Sequence, residues 1–460
     1  MAATKEKILT NGDKKGKDST EKTPTGVYIV FVSMLLDLLS FTLILPLFPS
    51  LLEYYEQHDK NGLYSYLSSS IRSFQEFMQI PTKFNSVLFG GCLGSMFSFL
   101  QFVASPIVGA LSDVHGRKPV LLICLVGIAS SYLLWAYSRN FGIFVLARFI
   151  GGLSKGNISL SMAIITDMTN QKTRGKGMAL VGIAFSLGFI VGPMIGAIFS
   201  KISDKSAEQW FYYPAIFAMI LAVADIIFVV FCLKESLPRE KRSKQLFDSL
   251  SQATHYINIR SLFTYVQVKG LSRRDLDDLK RISFIYFVYL FIYSGLEFTI
   301  TFLMYHHFNY TSIDQAKMFL TTGVIMTILQ GGVVRRLSPN LSQKSAVFGL
   351  YLIIPSFIII GFAKNSFMLY AGMVLFAIST AFVVTCLTTL ISRYGSFDQK
   401  GSILGIFRSI GALARAVGPI IASLCFWSFG AKVTYVVGGI MLFYPALTLQ
   451  SLNLSQKIQY

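Results

Sequence analysis

Apolar residues along this chain come in runs of roughly 20, the length a helix needs to cross about 30 Å of hydrocarbon. Twelve such runs are read, at 27–48, 86–108, 119–138, 141–166, 177–200, 211–233, 282–305, 316–334, 345–363, 366–391, 403–426 and 433–450. The run at 316–334 is short and threonine-rich, and that at 366–391 carries small polar residues throughout. The longest hydrophilic stretch, 234–281, divides the runs six and six. The pattern therefore predicts an all-α membrane protein of twelve transmembrane helices in two six-helix bundles, 27–233 and 282–450, joined by a linker at 234–281 and flanked by polar tails at 1–26 and 451–460.

Sequence repetition supports the division. Gly175, Gly192 and Pro193 recur 226 residues later as Gly401, Gly418 and Pro419, and Leu39-Ser40-Phe41-Thr42 is echoed 257 residues on by Leu296-Glu297-Phe298-Thr299. Two bundles related by such a parallel repeat hold their solute near the bilayer midplane, at the interface between them.

Composition agrees: 53% of the 460 residues are apolar and 14% charged, a surface a water-soluble chain of this size could not keep dissolved. A net charge of +18 would point a soluble protein toward nucleic acid, but its distribution gives another meaning. With the N-terminus inside, 28 of the 41 Lys and Arg fall on the cytoplasmic side, 9 on the other side or at its span edges, and 4 within spans. Both termini are thus expected in the cytoplasm, and no nucleic acid is implied. The first 24 residues have no apolar core followed by a cleavage site, so they are expected to be a disordered tail rather than a signal peptide.

The sharpest local pattern is Gly109-Ala-Leu-Ser-Asp113-Val-His-Gly116-Arg117-Lys118-Pro119, in the turn between the second and third spans. Gly116 permits the tight turn; Asp113 is expected against a helix N-terminus, with Arg117 and Lys118 free to pair with acids such as Asp167. The fifth span carries Gly188-Phe-Ile-Val-Gly192-Pro193-Met-Ile-Gly196-Ala197, whose glycines make a smooth face for close helix approach and whose proline can kink the helix. Gly418 and Pro419 repeat part of it. The fourth span holds Arg148 and Lys155 in Leu146-Ala-Arg148-Phe-Ile-Gly151-Gly152-Leu-Ser-Lys155-Gly156-Asn157.

These three motifs resemble those of the major facilitator superfamily, and the fifth-span motif is similar to that of its drug:proton antiporter branch, although Ala197 replaces the usual last glycine. The resemblance covers nearly all of the chain after residue 26. It implies transport by alternating access. It also implies a cytoplasmic latch at the 109–118 loop, with Asp113, Arg117 and Asp167 as gating residues, and a part for Arg148 in proton coupling.

Ionisable residues within a membrane are costly unless they meet water or an opposite charge. Arg148 and Lys155 lie two helical turns apart on one face, as do Arg408 and Arg415 in the eleventh span; with Asn157 they are candidates to line a central cavity. Against them stand Asp37, Asp225 and Glu297. Asp37 and Glu297 are expected to face the same central space and to carry the proton. Asp225, nearer the cytoplasmic end of its helix, is a second-rank candidate that could equally pair with a loop cation. With one acid protonated, four cations against the remaining acids favour a small, anionic organic solute. Tyr286, Tyr289, Tyr293 and Phe298 offer rings to stack on it.

The expected function is therefore proton-coupled efflux of small organic anions or amphipathic drugs by a monomer, in the plasma membrane by default. Facilitated uniport and a non-transporting sensor or scaffold of the same fold are the rivals. Cys92, Cys124, Cys232, Cys386 and Cys425 sit in spans without metal-ligand spacing, and the five histidines lie in loops or at span ends without a nucleophile. No metal, cofactor or enzymatic role is expected.

Overall fold

The computed structural model describes residues 23–77, 79, 81–202, 210–243, 245–266, 268, 270–395 and 399–452. The predicted tail residues 1–22 and 453–460 lie outside them. Among the described residues every regular element is helical.

Among the described residues, ten helical stretches are long and apolar enough to cross a membrane. The first, Thr25–His58, joins α1 (Thr25–Thr42) to α2 (Phe48–His58) through a 3-10 turn at Leu45–Leu47, where Pro46 and Pro49 interrupt the ladder. A shorter helix, α3 (Leu63–Phe77), follows. Next come α4 (Asn85–His115), α5 (Arg117–Ala136), the pair α6 (Phe141–Ser154) and α7 (Asn157–Met168), α8 (Gln171–Ile202) and α9 (Tyr212–Cys232). The linker folds into α10 (Leu246–His255) and α11 (Ile259–Thr264). The second half runs through α12 (Arg273–Phe308), α13 (Ser312–Gly332), α14 (Ser342–Phe362), α15 (Ser366–Ile391), α16 (Lys400–Met441) and α17 (Phe443–Ser451).

Three expected spans look different here. The run at 316–334 forms α13, which is not among the ten apolar spans because its first turns hold Asp314, Gln315 and Lys317 amid threonines. The runs at 403–426 and 433–450 belong to one helical stretch, Ser402–Ser451, which bends at Gly430 (φ 77°, ψ 169°). In addition, α12 starts at Arg273, inside the hydrophilic linker of the sequence reading. Ser272 caps it by accepting from the Asp275 backbone N–H.

The halves meet along two seams, α4 against α16 and α8 against α13. Small residues allow these approaches. At Gly91 a Cβ would have no room against Ser423 and the Pro419 carbonyl of α16, and at Gly323 it would meet Ile190 of α8. Outward-turned apolar residues such as Ile123, Phe231 and Phe367 cover the periphery, as a lipid-facing surface requires.

Candidate functional site

Three groups of charged residues organise the molecule. The first sits in the N-terminal half at a break in the fourth span. Helix α6 ends at Ser154 and α7 begins at Asn157, so Lys155 and Gly156 interrupt the rod, and Gly156 leaves no space for a Cβ against Val108 of α4. Lys155 Nζ lies 2.7 and 2.8 Å from Asp37 Oδ1 and Oδ2 of α1, with both side chains 2% exposed. Asp225 of α9 is fully buried beside the Ser33 hydroxyl, close enough to Asp37 and Lys155 to feel their charges. Ser40 donates to the Asp37 carbonyl (2.8 Å), and its oxygen lies 3.3 Å from Tyr132 Oη.

Arg148 lies about two turns back along α6 from the break, its guanidinium 4.3 Å from the Phe97 ring centroid and 6.0 Å from those of Phe41 and Phe48. Its Nε is buried and makes no hydrogen bond. Lys155 Nζ is 4.7 Å from the same Phe41 ring. Lys155, expected to stand open in the cavity, is instead engaged by Asp37. Asp225, expected to have a loop cation as its alternative partner, lies with the Asp37–Lys155 pair. Asn157, at 2% exposure, is enclosed beside the break.

A second group belongs to the C-terminal half. Tyr293 Oη donates to Glu297 Oε1 at 2.9 Å, and Arg415 of α16 is the cation nearest that carboxylate. Tyr293 is stacked between Tyr289 (centroids 5.4 Å) and Phe376 of α15 (5.2 Å). Tyr286 stacks on Phe407 at 3.9 Å and faces both Arg408 and Arg415. Unlike Asp37, the side chains of Glu297, Arg408 and Arg415 are exposed, although all three lie well inside long helices. Arg408 Nη1 reaches across to Met162 Sδ of α7 at 2.8 Å, and Phe298, next to Glu297, packs edge-on against Phe48 of the other half. Glu297, Arg408 and Arg415 thus carry exposed charge within long apolar helices, where a charge is costly unless it meets water or an opposite charge. The expectation that Asp37 and Glu297 face one space is therefore corrected: Asp37 is sealed inside its own bundle and Glu297 is open.

The third group is the loop at 113–118. Gly116 adopts φ +103°, which favours glycine, and starts α5 at Arg117. Arg117 holds three groups: Asp113 Oδ1 (2.6 Å), Asp167 Oδ2 (2.9 Å) and Ser112 Oγ (2.6 Å). The anion at the helix N-terminus is not Asp113, as the sequence suggested, but Glu235 from the linker, 118 residues away. It accepts from the Arg117 N–H (2.9 Å) and the Lys118 N–H (3.2 Å). Partial burial works against this carboxylate, yet those two N–H groups, the Leu237 N–H and the Arg242 guanidinium together hold it below the usual range. Lys118 Nζ caps the other polarity, donating to the Val230 carbonyl near the end of α9. The Ser243 N–H donates to the Asp113 carbonyl, so the loop clasps the linker. Beside Gly109 there is open space.

The glycines of α8 face α1. A Cβ on Gly188 would lie 2.7 Å from Leu38 Cβ, and Gly192 and Gly196 have no room against Thr42 and the Leu43 carbonyl; Pro193 lies among them inside the helix. Gly418, beside Pro419, packs as tightly on the Phe291 carbonyl of α12. The halves are also pinned at the end far from the 113–118 loop. There Tyr305 donates to Glu53, Ser86 and His306 are hydrogen-bonded at 2.9 Å, and Trp427 donates to Asn85 at 2.9 Å. The Ile420 N–H, just past Pro419, donates to Ser95 Oγ at 2.8 Å.

A family model, Major Facilitator Superfamily, matches residues 30–449. The chain belongs to this superfamily. Its members with this fold are transporters rather than enzymes, and the ten apolar stretches make the chain an integral, multi-pass membrane protein. It is 40% identical over 434 residues to human major facilitator superfamily domain-containing protein 10, covering 93% of each chain. It is also 22% identical over 400 residues to the class B tetracycline resistance protein of Escherichia coli, covering 86% of this chain and 88% of that one. Among solved structures it matches the human organic anion transporter MFSD10 (TETRAN) with a TM-score of 0.75 at 39% identity, over 94% of this chain and all of that one. A D-xylose–proton symporter shares the fold at 16% identity, with a TM-score of 0.67 over 94% of this chain and 98% of that one.

Proposed function

We propose that this superfamily member is a proton-coupled secondary transporter that exports small organic anions by rocking its two bundles about a central site. The observation that carries the reading is a separation of charge. Asp37 and Lys155 neutralise each other out of reach of solvent, while among the described residues Arg148, Arg408 and Arg415 have no carboxylate within ion-pair distance. Glu297 is the acid turned to the same space as Arg415, and the rings of Tyr286 and Tyr293 flank it. An anion entering there would find two or three guanidinium groups and an aromatic wall, which is what binding a charged organic molecule asks for. The 40% identical human relative is described as an organic anion transporter, which points the same way.

Coupling is assigned to Asp37 and Glu297, with Asp225 as the neighbour that takes or returns the proton when the Asp37–Lys155 pair opens. Counting α13, and counting the bent Ser402–Ser451 stretch twice, gives twelve crossings. The Lys and Arg bias then puts both termini in the cytoplasm. On that orientation the shut end, at Glu53–Tyr305 and Asn85–Trp427, is the external one, and the chain acts as a monomer, in the plasma membrane by default.

The test is flux. Protein reconstituted in vesicles should accumulate a labelled organic anion, such as a fluorescent aromatic carboxylate, when a pH gradient is imposed. Movement of organic cations with no anion movement would overturn the substrate class. Binding without flux would make the chain a sensor.

A further inference from the structure

Helix α3, between the first and second spans, has no part in the transport site, yet its surface is divided three ways. Tyr64, Leu67, Ile71 and Gln75 form the face that packs on the protein. Tyr64 is 2% exposed, edge-on to Phe89 (4.9 Å) and Phe141 (5.3 Å), and Gln75 Oε1 accepts from Asn85 Nδ2. A second face is polar and solvated, with Ser65, Ser69, Arg72 and Glu76; the last two form an exposed ion pair at 2.9 Å.

The third face is apolar and, apart from Phe74 against Trp427, uncovered. Leu63, Tyr66, Phe74 and Phe77 recur at helical spacing, with exposures of 37%, 69%, 53% and 82%. Ser70, which falls among them, turns its hydroxyl back to the Tyr66 carbonyl at 2.8 Å and so hides it.

The anchors of α3 fix how it lies. Phe89 is in the second turn of α4, Phe141 is the first residue of α6, and Trp427, on which Phe74 stacks at 5.9 Å, stands just before the Gly430 bend of α16. All three are at the ends of spans. A helix pinned to them runs across the end of the bundle, parallel to the membrane surface. Its apolar flank is then continuous with the lipid-facing belt and its charged flank faces water. Aromatic and aliphatic side chains on one flank and charges on the other are what a helix at the headgroup boundary requires.

We infer that α3 is an interfacial helix whose Leu63, Tyr66, Phe74 and Phe77 sit in the bilayer headgroup region on the face away from the 113–118 loop. Through Phe74 on Trp427 it ties that membrane surface to the closed end of the two bundles.

The full chain is reconstituted in phosphatidylcholine nanodiscs, with Phe77→Cys, Tyr66→Cys or, as the water-side reference, Ser69→Cys carrying a bimane dye. The background is Cys92→Ser, Cys232→Ser and Cys425→Ser. Lipid bearing a nitroxide at carbon 5 of the acyl chain should quench the dye at 66 and 77 several-fold more than at 69, and aqueous iodide should show the reverse order. Equal lipid quenching at all three sites, or iodide quenching strongest at 77, overturns the assignment. p-Benzoylphenylalanine in place of Phe77, in the otherwise unaltered chain, gives an independent reading. Photo-adducts with lipid support it, whereas adducts with a second protein show that a partner covers this flank and overturn it.

Discussion

Asp37 and Lys155, 118 residues apart in sequence, close an ion pair with both carboxylate oxygens in contact and neither side chain open to water. Removing one member strands the other in an apolar interior, which costs about 3–5 kcal/mol, whereas replacing both with neutral groups of similar volume is often nearly neutral. Asp37→Asn should therefore lower the unfolding midpoint in detergent sharply, and adding Lys155→Met should restore most of it. If the double variant melts as low as the single one, the pair does not hold the break between α6 and α7 in place. Restored stability without restored pH-driven transport would separate its coupling role from its structural one.

Glu297 differs because it is exposed and is held through Tyr293. The variant Glu297→Gln keeps the hydrogen-bonding shape and loses the charge, so it should bind and exchange solute across the membrane while failing to accumulate it against a pH gradient. Counterflow and gradient-driven uptake, measured on the same vesicles, check this. Accumulation that survives in both Glu297→Gln and Asp37→Asn would leave facilitated uniport as the better description.

Long-range order of the fold was legible because lipid imposes it: a span must be about 20 apolar residues, whatever it packs against. The stretch at Ser366–Ile391 has the bounds that hydropathy gives, and the glycines at 188, 192 and 196 mark a face that meets another helix. Charge partners were less legible. Arg148, Lys155, Asp37 and Glu297 stand out as intramembrane charges, but pairing is set by tertiary approach, so Lys155 read as an open cation when Asp37 takes it. Glu235 was missed for the same reason, since nothing local distinguishes it from the other charges of the linker. Helix α3 is not legible in the sequence because its buried and lipid-side faces adjoin, leaving neither a span-length run nor a simple two-sided pattern.

At the seam of α4 and α16 the fit leaves nothing for a side chain. Gly91 faces Ser423 and the Pro419 carbonyl, and Ser95 takes the Ile420 N–H one turn away. A bulky Gly91→Leu cannot be absorbed there without moving a helix, and overpacking of this kind costs about 1–3 kcal/mol. The shut end should spring open while each bundle stays intact. Labelling of Ser423→Cys by a membrane-impermeant maleimide should therefore rise several-fold on the Gly91→Leu background. An unchanged labelling rate would mean that this seam does not govern opening.

The linker is tied to the first bundle by Glu235, whose carboxylate receives the first two N–H groups of α5. An anion at a helix N-terminus contributes about 0.3–1 kcal/mol. Because the folded carboxyl is held below its ordinary value, the unfolded chain takes up the proton first, and stability from this contact is present above about pH 4.3 and lost as pH falls through the lower folded value. The variant Glu235→Gln, which cannot ionise, should melt about a degree or less below the parent at pH 7, and the gap should close on acidification. Salt should narrow it too, since the charge is partly exposed. A gap that stays constant from pH 7 down to pH 3.5 would show that Glu235 acts through its shape alone. In that case the linker would be held by the Ser243 contact with the Asp113 carbonyl, and Ser243→Pro, which removes that N–H, would be the change that frees it.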